Sequence, residues 1–290
     1  MQPVKPSRSE FITLNRHHYH LRHWGDPAAP LLVMLHGWMD SSATFQFLVD
    51  ALPGNWHVVA PDWRGFGDSA WNTGSYYFPD YLADLDAMLD HLSPNQPVHL
   101  LGHSMGAMVA GIYAGVRPAR IARLSLVEGF GLNATRPAEA PGRYARWLRE
   151  RQEPPVFNPL DSLESVAAKL IERSPRLEQP AALWLAATLT RCNEQGELVY
   201  RADPRHKMVN PVLYRLEEAK SCWLRITAPV QWVIGGAHWD HPMAKGVRDT
   251  LPERRACFAR LQEDVIADAG HMVQWEQPKR LAQVIQSFLL

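Results

Sequence analysis

The pentapeptide Gly102-His103-Ser104-Met105-Gly106 constrains this chain more than any other feature. It follows the apolar run 98–101 and opens the small, apolar stretch from Met105 to Val116, which Pro118 then ends. That order reads as a buried strand, a sharp turn and a helix packed closely on a sheet. Glycines flank the turn because neighbouring backbone approaches too closely for side chains. The turn lifts the Ser104 hydroxyl above the sheet and points the Met105 N–H, at the helix N-terminus, toward a developing oxyanion. A displayed hydroxyl beside such a donor is the chemistry of a nucleophile.

The rest of the first half supports a sheet around that turn. Residues 11–14 and 19–24 read as an opening hairpin, and 31–35, 58–60 and 124–127 as further buried strands. Tyr81, Leu82, Leu85, Met88, Leu89 and Leu92 share one helical face. The pattern changes after Phe130: residues 133–222 show helical patches with Pro and Arg clusters and no strand alternation. Strands return at 230–234 and 264–267, and Leu281, Val284, Ile285, Phe288 and Leu289 mark a last amphipathic helix. The expected fold is α/β, a mostly parallel sheet flanked by helices. The expected organisation is a core of residues 1–132 and 223–290 and an inserted helical cap of residues 133–222. A cap over the C-terminal edge of such a sheet would cover the crevice where these folds bind ligands.

Composition narrows the partners. Thirty Lys and Arg balance thirty Asp and Glu, which argues against nucleic acid, because that needs a basic face. Cys192, Cys222 and Cys257 form neither a metal pattern nor a disulfide framework. His238 and His241 lack a clear third ligand, so no metal and no cofactor is expected. The first ten residues lack the apolar run of a signal peptide, and no stretch is apolar enough to span a bilayer. A cytoplasmic protein acting on an apolar small molecule is the expectation, with no membrane partner.

Three more motifs complete the pattern. His36-Gly37-Trp38 follows the strand 31–35, the turn-rich run from Asp62 to Ser69 follows the next strand, and Gly270-His271 precedes the final helix. A serine hydroxyl needs an adjacent base, and histidine serves near neutral pH. His36 and His103 read as structural hydrogen bonders, and Arg64 as paired to a carboxylate. In this order the four motifs resemble the α/β-hydrolase superfamily along the whole chain. Phe157-Asn158-Pro159, Tyr200-Arg201-Ala202-Asp203-Pro204-Arg205 and Ile226-Thr227-Ala228-Pro229-Val230 extend the resemblance to its serine hydrolase-like, kraken-type members.

The resemblance implies ester hydrolysis or a related acyl transfer to water, with Ser104 as nucleophile, His271 as base and the Trp38 and Met105 N–H groups as oxyanion donors. Two carboxylates compete as the triad acid. In many members the acid follows the strand at 230–234 in a G-x-x-D-x-x-x-P pattern; here that register puts His238 at the acid position, with Asp240 two residues later. Some relatives carry the acid one strand earlier, where Glu128 stands. Trp38, Met39, Met105, Trp239 and Met272 neighbour these positions and suggest an apolar substrate pocket, with Trp147, Trp184 and Leu185 as cap candidates. Perhydrolysis, lactone opening or C–C bond hydrolysis would use the same residues. A ligand-binding protein on a hydrolase scaffold is the non-enzymatic alternative.

Overall fold

A computed structural model describes residues 4–237 and 245–290. Its centre is an eight-stranded sheet of β1 (Ser7–Leu14), β2 (His17–Trp24), β3 (Leu31–Leu35), β4 (His57–Pro61), β5 (Val98–His103), β6 (Ile121–Val127), β9 (Val230–Gly235) and β10 (Leu261–Ile266). The spatial order is β1-β2-β4-β3-β5-β6-β9-β10. β1 and β2 run antiparallel to each other, β2 runs antiparallel to β4, and every later pairing is parallel. The inner strands β3, β5, β6 and β9 are buried along most of their length. That is why they read as continuous apolar runs rather than alternating ones.

Helices cover both faces. α2 (Phe78–Leu92) and α3 (Met105–Val116) lie on one side, where Leu85, Leu89, Val109 and Tyr113 join Leu100 and Leu124 of the sheet. α1 (Gln46–Ala51) and α11 (Pro278–Leu289) lie on the other, where Leu48, Val49, Leu281, Ile285 and Phe288 meet Leu32, Leu101 and Val233. The helical stripes at i, i+3, i+4 and i+7 are the faces buried here.

Between β6 and β9 the chain leaves the sheet through α4 (Ala140–Gln152), α5 (Leu163–Arg173) and α6 (Gln179–Leu189). α5 and α6 form an apolar cluster of their own around Val166, Ala167, Ala182 and Leu185, with Phe47 and Trp275 reaching it from below. This stretch is not purely helical. β7 (Thr190–Cys192) and β8 (Leu198–Tyr200) form an antiparallel hairpin. Asn193 closes its turn by accepting from the N–H groups of Gln195 and Glu197, and Gly196 takes φ 78°. The hairpin departs from the helical pattern expected there: its two strands are only three residues each, too short for alternation to show, and are joined by the turn at Asn193 and Gly196.

α7 (Leu216–Trp223) follows, sequence-wise still within 133–222, but it packs on α3 in the layer against the sheet. A Cβ placed on Gly115 of α3 would lie 1.9 Å from the Cys222 carbonyl oxygen. The small residues of α3 are therefore what lets α7 close on it. The chain ends with α8 (Lys245–Arg248), α9 (Leu251–Arg255), α10 (Val273–Glu276) and α11.

This packing makes a paired expectation. Gly115→Ala should destabilise the fold by about 1–3 kcal/mol through overpacking. Gly142→Ala, on α4 with nothing within 4 Å of an added Cβ, should stabilise by about 0.5–1 kcal/mol. Urea unfolding of both variants checks it, and equal midpoints would contradict the close α3–α7 approach.

Candidate active site

The site is built at the C-terminal ends of β5 and β6. Ser104 sits between β5 and α3 at φ 51° and ψ −115°, a strained conformation for a non-glycine residue. Three contacts impose it. A Cβ on Gly102 would fall 2.5 Å from the backbone of Ala107, and one on Gly106 would fall 2.2 Å from the Leu35 carbonyl oxygen. The Ser104 N–H donates to the Val127 carbonyl at 2.9 Å.

His271, in the loop before α10, brings Nε2 to 3.0 Å from Ser104 Oγ. Its Nδ1 lies 3.1 Å from Glu128 Oε2. Glu128 stands directly after β6 at φ 54°, and its carboxylate is buried. Glu128 Oε1 accepts the Gly235 N–H at 2.6 Å, so the carboxylate is anchored to β9 as well as to His271. A buried, hydrogen-bonded carboxylate of this kind orients an imidazole and offsets the charge that forms on it. The segment after Glu128 is held by Arg254, a fully buried guanidinium on α9 that donates to the carbonyls of Phe130 (2.6 Å) and Leu132 (2.9 Å). Asp240, Trp239, His238 and His241 lie outside the described residues.

The loop after β3 passes beside Ser104, and a Cβ on Gly37 would sit 3.2 Å from Ser104 Cβ. His36 shapes this loop. Its Nδ1–H donates to the Gly37 carbonyl at 2.7 Å, and its Nε2 accepts the Trp63 N–H at 3.0 Å. Burial lowers the His36 pKa to about 4, which keeps the ring neutral. Trp38 projects outward at 51% exposure, and Met39 follows at φ 58°. Met105 is the first residue of α3, so its N–H has no intrahelical acceptor.

His103 binds the site together from below. Its Nε2–H donates to the His271 carbonyl at 2.8 Å, and its Nδ1 accepts from the buried Gln274 amide at 3.2 Å. Its Nδ1 also lies 3.0 Å from where a Gly37 Cβ would be. One ring thus touches the nucleophile turn, the histidine loop and the loop after β3. Burial, reinforced by the nearby His271, lowers its pKa to about 3, so it works as a neutral imidazole with the proton on Nε2.

The apolar candidates divide. Met272 is half-buried against the α5–α6 cluster, where Leu185 is fully enclosed and Trp184 packs on Phe47. Trp147 of α4 instead bonds Ser75 through its indole N–H at 3.0 Å. Among the described residues, one group, His20, Asp62 and Asp68, has cation-ligand spacing. Asp62 already accepts from Ser42, Asp68 and His20, and the other His20 nitrogen bonds Ser9, so that cluster is spoken for as a hydrogen-bond knot.

The run from Asp62 to Ser69 proves to be the seat of the inserted segment. Arg64 pairs with buried Asp84 on α2. Gly65 and Gly67 exchange backbone hydrogen bonds with Asp203 and Arg201, Phe66 bridges Ala202, and Arg201 pairs with Asp68. His206 lies between the rings of Phe66 and Tyr76 at centroid distances of 3.8 and 3.7 Å. The run Tyr200 to Arg205 carries the other half of this joint. Sequence reading missed its role, because no local pattern reports a contact across about 130 residues.

Two tests follow. His103→Phe should lower kcat about 10–100-fold with little change in KM, because a displaced base loses alignment rather than binding. His103→Gln, which retains one donor, should fall between that variant and the wild type; equal kcat in all three would refute the positioning role. The second concerns Asp40, which accepts from Ser41 N–H and Thr44 Oγ1 beside the loop after β3. Burial pushes its carboxyl up to about 7 despite those hydrogen bonds. Its folded value then lies above the ordinary ~3.9, so its contribution to stability is full below about pH 4 and is lost as pH rises through about 7. Asp40→Asn should flatten the decline in urea midpoint between about pH 5 and 8.

The sequence profile of the alpha/beta hydrolase fold family matches residues 30–278. A serine hydrolase-like protein of Danio rerio is 26% identical over 284 residues, covering 92% of this chain and 83% of that one. A monoacylglycerol lipase of Rattus norvegicus is 26% identical over 271 residues, covering 90% and 75%. Among solved structures, the thioesterase domain from the curacin biosynthetic pathway superposes with a TM-score of 0.83 at 25% identity, covering 97% of this chain and 99% of that one. No helix among the described residues is long and apolar enough to cross a membrane. The motifs, the sheet order and these likenesses agree: the chain belongs to the α/β-hydrolase fold family, with serine hydrolase-like proteins among its relatives.

Proposed function

We propose that this hydrolase acts on a carboxylic ester, or a related acyl compound such as a thioester, through an acyl-enzyme on Ser104. The observation that carries the reading is the continuous line of hydrogen-bonding distances from Ser104 Oγ through His271 to Glu128. In this reading His271 Nε2 takes the hydroxyl proton as Ser104 Oγ attacks the carbonyl carbon. The oxyanion is held by the N–H groups of Met105 and Trp38. The tetrahedral adduct collapses, His271 gives the proton to the leaving alcohol or thiol, and a water deprotonated by the same imidazole releases the acid. Glu128 stays ionised throughout and holds the ring with its Nε2 toward Ser104.

The monoacylglycerol lipase and thioesterase names among the relatives and structural neighbours agree with this class. Glu128 is proposed as the triad acid in preference to Asp240. Trp38, Met39 and Met272, with Trp239, are proposed to border the acyl group, and the part of residues 133–222 that precedes α7 to serve as a lid over it.

Hydrolysis of p-nitrophenyl butyrate tests the reading. Ser104→Ala should reduce kcat by at least about 10⁴-fold, and Glu128→Gln by about 10³–10⁴-fold. Asp240→Asn should stay within a few-fold of the wild type, and the reverse ranking of the two acids would transfer the role to Asp240. A fluorophosphonate probe should label the wild type and spare Ser104→Ala. Absence of labelling in both would favour a binding protein on this scaffold.

A further inference from the structure

A surface groove lies apart from Ser104, His271 and Glu128, none of which lines it. It is open to solvent, with a volume of about 650 Å³ between the β1–β2 turn, the loop 70–77 and helix α4. That volume falls within the range of small-molecule sites. Arg16, Arg64, Arg151, Trp71, Tyr77 and Trp147 form its chemistry.

The charges there are uneven. Arg64 is satisfied by Asp84 and Asp80. Arg16 and Arg151, both exposed, have no carboxylate within ion-pair distance among the described residues; with Asp80 in the same lining, three guanidiniums meet two carboxylates and the groove keeps a net positive charge. Arg16 is also in an unusual place. The two-residue turn between β1 and β2 puts Asn15 at φ 51° and Arg16 at φ 63°. A turn with two positive φ angles strongly favours glycine at the second position. An arginine there accepts backbone strain and supplies a charge that the hairpin itself does not need. The rings are supported too. Trp147 is fixed by its bond to Ser75, with the Arg151 guanidinium 5.9 Å from its ring centre. Trp71 is partly exposed, with Arg191 5.6 Å from its ring centre.

We infer that this groove binds a phosphomonoester that carries a planar ring, of the nucleoside monophosphate class. Two guanidiniums outside any ion pair among the described residues offer several N–H donors to one phosphate group, and guanidinium geometry suits phosphate oxygens. The indoles offer flat apolar faces for the ring. The β1–β2 turn lies at the sheet edge that also carries Ser104, because β2 runs antiparallel to β4 and pairs Leu21 with Pro61. Three strand spacings separate β2 from β5, a lateral distance of about 14 Å. The bound group therefore sits to the side of the nucleophile, and its binding is independent of the acyl chemistry.

Calorimetric titration with AMP and, separately, with inorganic phosphate tests the proposal. At about 50 mM salt AMP should bind with a sub-millimolar Kd that weakens as salt rises. Arg16→Ala and Arg151→Ala should each weaken AMP binding by about tenfold or more. Trp71→Ala should weaken AMP binding while leaving that of phosphate unchanged. All three variants should hydrolyse p-nitrophenyl butyrate at the wild-type rate, which separates this proposal from the esterase reading. No saturable heat with AMP up to about 5 mM overturns it. Equal affinity for phosphate and AMP, indifferent to Trp71→Ala, overturns the ring recognition. Sedimentation with phosphatidylglycerol vesicles, lost in the arginine variants while AMP fails to bind, would reassign the arginines to a lipid surface.

Discussion

The backbone of Ser104 is the constraint around which the other parts are arranged. At φ 51° and ψ −115° it is strained by roughly 1–3 kcal/mol, and it persists because its surroundings leave no alternative. Gly102 and Gly106 admit Ala107 and the Leu35 carbonyl at distances that exclude a methyl group. The Ser104 N–H is tied to β6. The same tight turn aims the hydroxyl at His271 and starts α3 with unsatisfied donors. Strain, the direction of the hydroxyl and the free donors at the start of α3 are thus one feature of the chain.

Around that turn the protein relies on neutral histidines. His36 and His103 are both fully buried, with pKa values lowered to about 4 and about 3. Each uses one nitrogen to donate and the other to accept, which fixes its tautomer. A Lys or Arg in either place could not accept, and an aliphatic residue would strand buried N–H and C=O groups. His271 differs from them: it is half-buried, reaches Ser104 on one side and a buried carboxylate on the other.

The second organising contact is the joint between the loop 62–69 and the run 200–206. Backbone hydrogen bonds, the Arg201–Asp68 ion pair and the stacked His206 join the inserted segment to the end of β4. Arg254 does comparable work at the other exit, where the chain leaves β6 just after Glu128. Both joints lie next to site elements, so the insertion and the site share anchors.

The sequence by itself determined the elements whose signal is local. Period-two and period-3.6 apolar patterns placed the inner strands, α2 and α11, because burial of one face or two writes directly into composition. The Gly-x-Ser-x-Gly turn and the late Gly270-His271 singled out two side chains that the fold brings within 3.0 Å of each other. The hairpin β7–β8 was lost because three-residue strands carry too little pattern, and α7 was grouped with the insertion because amphipathicity says that a helix has an apolar face, not what covers it. The surroundings of Glu128 were likewise beyond a linear reading. It follows an apolar run, and its reach to the imidazole depends on strand neighbours. Only the tertiary structure, by setting β6 between β5 and β9, brought the Glu128 carboxylate within 3.1 Å of His271 and gave its other oxygen the Gly235 N–H.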